Sequence, residues 1–481
     1  MLEKIKSLSQ DTVIYGISTM VSRFFTFLLV PFYTNVFPPS DYGIITNVFA
    51  YIAMLNVFFS IGLESGYFKF ASTLELGDRK ENFSQPFIII FTNSFVLSVL
   101  IFFFAPNLTG IFLLSSSQSL LVKLAAAILF FDAICLVPFA YLRLQRKAKK
   151  FALLKVINIC IMFILNLILI LVLKLGIEAV FIGNLIASAV TFILLIPDVL
   201  TNLRLSLNKH LIRELIFFSL PYIPAGIASN IIQVINRPLL LKYSGEETLG
   251  IFQANYKLGI FVMLFVSIFE FAWRPFFLNH AKDPDAKNLF SKVLTLFVIA
   301  ASTLFLVISL YIPDVVKMDL PFKGNLIGEK YWVGLNIVPI VLFSYILYGI
   351  YINLMAGIYI EKKTKYLPLI TGIAAVTCIA SNAILIPLFG MIGSAFATFL
   401  SYLMMMIFIY YFSQKYYHVN YEKSKIVSIL LLAVVFYLPT YILEFNGALN
   451  LIFKTILLMI FIGVLNFTGL FKLSSLKNLR M

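Results

Sequence analysis

The run VGLNIVPIVLFSYILYGIYINLMAGIYI, residues 333–360, carries no charge and is followed at once by EKKTK, residues 361–365. A helix crosses the hydrocarbon core of a bilayer with roughly 20 mostly apolar residues. This run is longer than that, and its charges wait just outside it. Runs of the same kind recur in both directions along the chain. Fourteen spans are read in all, at about 12–37, 43–67, 85–106, 119–142, 151–174, 177–199, 214–237, 248–273, 291–313, 333–360, 366–388, 391–413, 425–444 and 448–471. The runs are continuous rather than alternating apolar and polar, which excludes a membrane barrel and leaves helices. The chain therefore reads as an all-α integral membrane protein with about 14 transmembrane helices.

The charge balance is basic, with 37 Lys and Arg against 22 Asp and Glu. Basic residues collect in the cytoplasmic loops of membrane proteins, so the surplus implies no nucleic-acid partner. With the N-terminus inside, 27 of the 37 fall on the cytoplasmic side and 8 on the other, while Arg23 and Lys257 lie within spans. That split predicts both termini in the cytoplasm. The first span is followed by Pro38-Pro39 and no small-residue cleavage site, so it reads as a retained helix and not a signal peptide.

The longest outer connection, Asp314 to Trp332, is too short for a soluble domain. No GxxxxGK[ST] phosphate loop, HExxH motif or paired-cysteine metal spacing occurs. Cys135, Cys160 and Cys378 sit inside spans as small apolar packing residues. His210, His280 and His418 lie in three separate loops. No metal, cofactor or catalytic constellation is expected, and the chain does not read as an enzyme.

Sliding the sequence by 207 residues aligns Ser22 with Ser229, Pro31 with Pro238, Gly43 with Gly250, Ile44 with Ile251, Phe58 with Phe265, Ser60 with Ser267 and Ile61 with Ile268. The punctuation coincides: a proline near the outer end of one span, a turn, then a glycine opening the next. Spans 1–6 would match spans 7–12 in the same orientation, a parallel repeat known from transporters. The expected architecture is two parallel six-helix lobes, 1–208 and 209–417, around a central cleft, with two further helices in 418–481.

Polar residues recur at helical spacing in the first two spans of each half. Span 1 has Thr12, Tyr15, Thr19, Arg23 and Thr26; span 2 has Asn56, Ser60 and Glu64. Span 7 has Ser219, Tyr222, Ser229, Asn230, Gln233 and Arg237; span 8 has Gln253, Tyr256, Lys257, Ser267, Glu270 and Arg274. Intervals of three and four place such groups on one helix face. Polar groups inside a membrane face the bundle interior or a water-filled cavity. Arg23 sits deepest, and a central Arg costs about 2.5–3.5 kcal/mol on insertion scales. Cavity water, an acidic partner or an anionic ligand must offset that cost. The candidate cleft residues are Arg23, Asn230, Gln233, Arg237 and Lys257. The candidate gate or ion-coupling residues are Glu64, Asp132, Glu270 and Arg274, where Glu270 and Arg274 can simply pair four residues apart and Asp132 can bond to a neighbouring helix. The basic excess suits an anionic cargo, because the planar fork of Arg binds phosphate oxygens in pairs. Pro221 and Pro224, followed by Gly226, predict a kink in span 7. Spans 13 and 14 are nearly bare of polar groups.

Three segments carry a family resemblance: Ser9-Gln10-Asp11-Thr12-Val13-Ile14-Tyr15-Gly16, then Val30-Pro31-Phe32-Tyr33-Thr34 with Asp41-Tyr42-Gly43, and Ser219-Leu220-Pro221 through Asn236-Arg237 to Leu249-Gly250-Ile251-Phe252. They resemble bacterial polysaccharide-biosynthesis flippases, the Wzx-type O-antigen and capsule-unit translocases of the multidrug/oligosaccharidyl-lipid/polysaccharide exporter superfamily. That family often has Asp-Arg where this chain has Asn236-Arg237. The resemblance implies a fourteen-helix transporter in the bacterial inner membrane. By alternating access it would move a polyprenyl-pyrophosphate-linked glycan to the outer leaflet, its tail trailing in membrane lipid beside spans 13 and 14. Other polysaccharide-assembly membrane proteins are possible partners. Two other readings stay open: a drug/cation antiporter of the same superfamily, which a basic cleft disfavours, and a membrane glycosyltransferase or polymerase, which generally needs a large outer loop.

The charge split makes a direct test. Reporter fusions after Lys80, Lys150 and Lys292 should report the cytoplasm, and fusions near Asn107 and Asn325 the outside. Inversion of more than one hairpin would remove the fourteen-span topology.

Overall fold

The computed structural model describes residues 24–319, 324–443, 445–468 and 470. Eleven helical stretches among them are long and apolar enough to cross a membrane. Two of these hold two spans each: Lys209–His280 breaks at Gly245 (φ 85°, ψ 174°), and Tyr366–Tyr416 at Gly390 (φ 55°, ψ −129°). Phe24–Val36 is a shorter apolar helix within span 1. Together these account for the fourteen spans of the sequence. The protein is a multi-pass integral membrane protein.

Local signals set where the helices begin. Pro39 opens span 2 at the first helical turn, where its missing N–H costs nothing. Asp78 and Glu81 form a reciprocal capping box at the start of span 3: Asp78 accepts from the Glu81 N–H at 2.8 Å, and Glu81 from the Asp78 N–H at 3.2 Å. Span 3 consequently starts at Arg79, six residues before the apolar run suggested. The side chain of Asn208 caps span 7 by a single bond, accepting from the Leu211 N–H at 3.1 Å.

The chain divides into two compact units, one ending at Gly250 and one beginning at Ile251. In the first unit, span 7 lies antiparallel along span 2. Numbering falls along one as it rises along the other. The Arg237 guanidinium meets the Thr46 carbonyl at 3.4 Å, and the Asn230 amide donates to the Ala53 carbonyl at 2.7 Å. Gly226 faces Val57, Gly62 faces Ser219 and Tyr222, and Gly66 faces Leu215 and Ser219. Small residues let helix backbones approach closely, which is how helices associate in lipid.

Both partners are interrupted where they cross. Span 2 breaks at Ile61 (φ 47°) and Gly62 (φ 65°), dividing Pro39–Ser60 from Leu63–Thr73. Gly62 takes the left-handed conformation at no steric cost, and a Cβ there would lie 2.7 Å from the Ser219 carbonyl oxygen. Span 7 breaks at Leu220–Pro221, between Lys209–Ser219 and Tyr222–Val234. The kink expected from Pro221 is present; the break in span 2 had no such proline to announce it.

At the other end of span 2 the repeat meets itself. A Cβ on Gly43 would collide with the Glu246 carbonyl oxygen, and one on Gly250 with that of Pro39. Pro39 and Glu246 are 207 residues apart, as are Gly43 and Gly250, so the contact is reciprocal.

In the second unit, span 10, with its uncharged run 333–360, is the most enclosed, 67% of its apolar window being buried. Trp273 of span 8 donates from Nε1 to the Asn353 carbonyl at 3.1 Å. Phe269 and Phe297 pack at 4.5 Å between centroids, and Phe297 fills the space above Gly349. Spans 13 and 14 lean on span 9 through Tyr437 against Phe305, and on each other through Phe436 and Phe461.

The reciprocal glycine contact predicts that Gly43→Ala and Gly250→Ala each destabilise the purified protein by about 1–3 kcal/mol, the usual cost of overpacking. Gly463→Ala, where no atom lies within 4 Å of the new methyl, should be neutral or mildly stabilising. Thermal melts in detergent compare the three; equal behaviour would refute the close approach.

Candidate functional site

Of the sequence candidates, Arg23 lies outside the described residues. In the first unit, Asn230 and Arg237 each spend a hydrogen bond on the backbone of span 2. Gln233, between them on the same face, is exposed. These three residues are thus brought together on one stretch of span 7. In the second unit, half-buried Lys257 opens a single 3₁₀ turn, Lys257–Gly259, that joins two helical segments of span 8.

The acidic candidates take different partners. Glu64 forms an ion pair with Arg143 of span 4, whose guanidinium also lies 4.7 Å from the Phe68 ring centroid. Asp132 of span 4 accepts a hydrogen bond from the Ser188 hydroxyl of span 6 at 2.6 Å, the interhelical bond its position allowed. Beside it, Asn158 of span 5 donates to Thr191 of span 6 at 2.9 Å. Glu270 and Arg274 pair with one another at 2.7 Å, and Arg274 lies 5.8 Å from the Tyr359 ring. Among the described residues, Asp132 is the one acid of the three that has no ion pair within 4 Å.

Three ion pairs that involve a buried side chain have no counterpart among the sequence expectations. Asp198, deeply buried, holds Lys150 at 2.5 Å and Lys147 at 3.7 Å. Lys454 of span 14 is 8% exposed and meets Asp314 of span 9 at 2.5 Å. Asn450 also donates to Asp314, at 3.2 Å, and Thr455 bonds to Tyr311 at 2.7 Å. Span 14 is therefore not bare: three polar contacts tie it to span 9. Asn450 and Lys454 share a helical face by spacing, but two residues make too short a stripe to stand out from an apolar run.

No group of three or more metal-binding side chains occurs among the described residues.

Residues 36–320 match the family described as Polysaccharide biosynthesis protein. The chain belongs to that family. Its fold is similar to that of the lipid II flippase MurJ in an inward closed conformation, with a TM-score of 0.75 and 16% identity over 95% of this chain and 100% of that one. An inward-facing multidrug resistance MATE family transporter of the MOP superfamily aligns with a TM-score of 0.64 and 14% identity, over 87% of this chain and 98% of that one. The curated protein sequences contain no match. The protein is a member of the polysaccharide biosynthesis family with the fold that these two transporters share.

Burial separates the ion pairs energetically. Glu64 and Arg143 are 41% and 36% exposed, so Arg143→Gln should cost at most about 1 kcal/mol. Lys454→Ala strands Asp314 at a mostly buried contact and should cost more, about 2–3 kcal/mol, below the 3–5 of a fully buried pair. Adding Asp314→Asn should recover part of that loss. Denaturation of the three variants in detergent gives the ranking.

Proposed function

We propose that this transporter flips a polyprenyl-pyrophosphate-linked oligosaccharide from the cytoplasmic to the outer leaflet of a bacterial inner membrane. The observation that carries the reading is the family match over residues 36–320, joined to basic residues placed inside membrane spans. A surface polysaccharide is assembled from lipid-linked units, and such a unit carries its negative charge on the pyrophosphate. The structural neighbour MurJ, a lipid II flippase, handles a lipid-linked cargo on the same fold.

In this reading Arg23, Arg237 and Lys257 meet the pyrophosphate, Arg by its planar fork and Lys as a point charge. Asn230 and Gln233 offer amides to sugar hydroxyls. The transport cycle alternates access between the two sides. Glu64, Glu270 and Arg274 act as pairing groups that stabilise one state of the cycle. Of the acidic candidates, Asp132 is taken as the one that binds a proton or sodium ion, since its direct partner is the Ser188 hydroxyl and no ion pair lies within 4 Å. The chain keeps its sequence-based orientation, both termini in the cytoplasm. The antiporter alternative requires a cationic drug to bind beside basic groups, which like-charge repulsion opposes.

Arg23→Ala should abolish polysaccharide export while an immunoblot shows near-normal protein in the membrane. Arg23→Lys should export more than the alanine variant and less than wild type, because the ammonium keeps the charge and loses the fork. Wild-type export by well-folded Arg23→Ala protein would contradict the cargo role. Loss of the protein itself would instead mark Arg23 as the partner of a buried acid.

A further inference from the structure

The loop Glu361–Lys365, between spans 10 and 11, is built to hold its lysines still. Lys362 takes a left-handed conformation (φ 54°), and the Lys363 N–H returns to the Ile358 carbonyl at 2.8 Å. That is the double-bonded helix ending known as a Schellman motif. The loop then packs against the end of span 12. Tyr366 stacks on Phe412 at 4.5 Å and on Tyr416 at 5.5 Å, and the two tyrosine hydroxyls bond to one another at 2.6 Å. Lys363 and Lys415 place their ammonium groups 5.3 and 5.7 Å from the Tyr416 ring centroid, and Lys365 lies 5.5 Å from that of Tyr366. Three cations thus converge on two rings. Among the described residues none of the three lysines makes an ion pair within 4 Å, and Glu361 is the one acid in the loop.

This cluster lacks its counter-charge. Of the two hydroxyl protons, one is spent between the tyrosines, so the other is left to donate outward. Directly beneath the cluster both helices present apolar side chains outward: Leu369 (50% exposed) and Val376 (67%) on span 11, Tyr411 (58%) and Ile407 (43%) on span 12. A basic, hydroxyl-bearing cap above an apolar helical stripe matches one chemistry, an acidic headgroup with acyl chains below it. We propose that Lys363, Lys365, Lys415 and the Tyr366–Tyr416 hydroxyl pair bind the phosphate of an anionic phospholipid, whose chains lie along Leu369, Val376, Ile407 and Tyr411. The site is independent of the cargo reading. A soluble anion would have no use for the apolar stripe, and an acidic protein would be kept from it by the bilayer.

The test is native mass spectrometry of the full chain released from detergent, titrated with phosphatidylglycerol, phosphatidylcholine or farnesyl pyrophosphate. A basic residue near an anionic membrane surface contributes roughly fivefold in affinity. The triple variant Lys363→Gln/Lys365→Gln/Lys415→Gln should therefore lose roughly ten- to a hundredfold, on the order of these contributions combined. Phosphatidylcholine retention should not change. Tyr366→Phe/Tyr416→Phe, which removes both hydroxyls and keeps every charge, should lose phosphatidylglycerol a few-fold. The control Lys80→Gln/Lys149→Gln/Lys282→Gln removes the same net charge from exposed positions elsewhere and should bind as wild type does. The proposal is overturned if the first triple variant retains phosphatidylglycerol like wild type, or if the control triple loses it equally. It is also overturned if only farnesyl pyrophosphate is weakened, which would give the cluster to the cargo. Polysaccharide export by the same variants reads the cargo path separately.

Discussion

A bilayer offers no water to a peptide group, so each backbone N–H and C=O within it must find a partner in the chain. The rest of this protein follows from that. Continuous apolar runs become helices because only a helix satisfies its own backbone. Exceptions are then informative, and two of those in the first unit touch. The Ile61–Gly62 break in span 2 lies against the Leu220–Pro221 break in span 7, with Gly62 packed on Ser219 and Tyr222. Each break stays bonded through its flanks: the Ile61 N–H reaches the Val57 carbonyl and the Ile223 N–H that of Leu220. Interrupted helices at membrane depth are tolerated where protein covers them, and here Ser219 and Tyr222 cover the break at Gly62.

The same low dielectric governs the charges. Most basic residues escape to the loops. Those that remain near the spans are largely matched: Arg143 with Glu64, Lys150 with Asp198, Lys454 with Asp314, Arg274 with Glu270. For Asp198 and Lys454 pairing is a requirement of burial, whereas the part-exposed Glu64–Arg143 and Glu270–Arg274 pairs contribute little to stability. Glu64 and Glu270, singled out as gates from sequence, therefore already have an ordinary structural occupation, whereas Asp132 is bonded to a neutral hydroxyl.

The fold does not name the cargo. Similar helical frames serve a lipid II flippase in one neighbour and a multidrug transporter in another. Chemistry of the site decides between such functions, not architecture. Family membership and the sign of the intramembrane charge favour an anionic, lipid-linked glycan; neither specifies its sugars.

The sequence by itself determined the class of the protein, its spans and the proline kink in span 7. Length and hydrophobicity are local properties, and bilayer thickness converts them directly into helices. It also determined the positions of the repeat, because Gly43 and Gly250 stand at equal places in their own helices. What only the tertiary structure decided was who meets whom. No periodicity says that those two glycines face one another, that Glu64 finds Arg143 and Asp132 finds Ser188, or that Lys454 reaches Asp314 across 140 residues. Nor does it say that span 2 breaks at Ile61–Gly62, since the strain there is compensated by a neighbour 157 residues away in sequence, Ser219. Lipid makes every apolar face nearly equivalent, so helix partners are chosen by close packing and by single polar contacts. Both exist only once the helices are side by side.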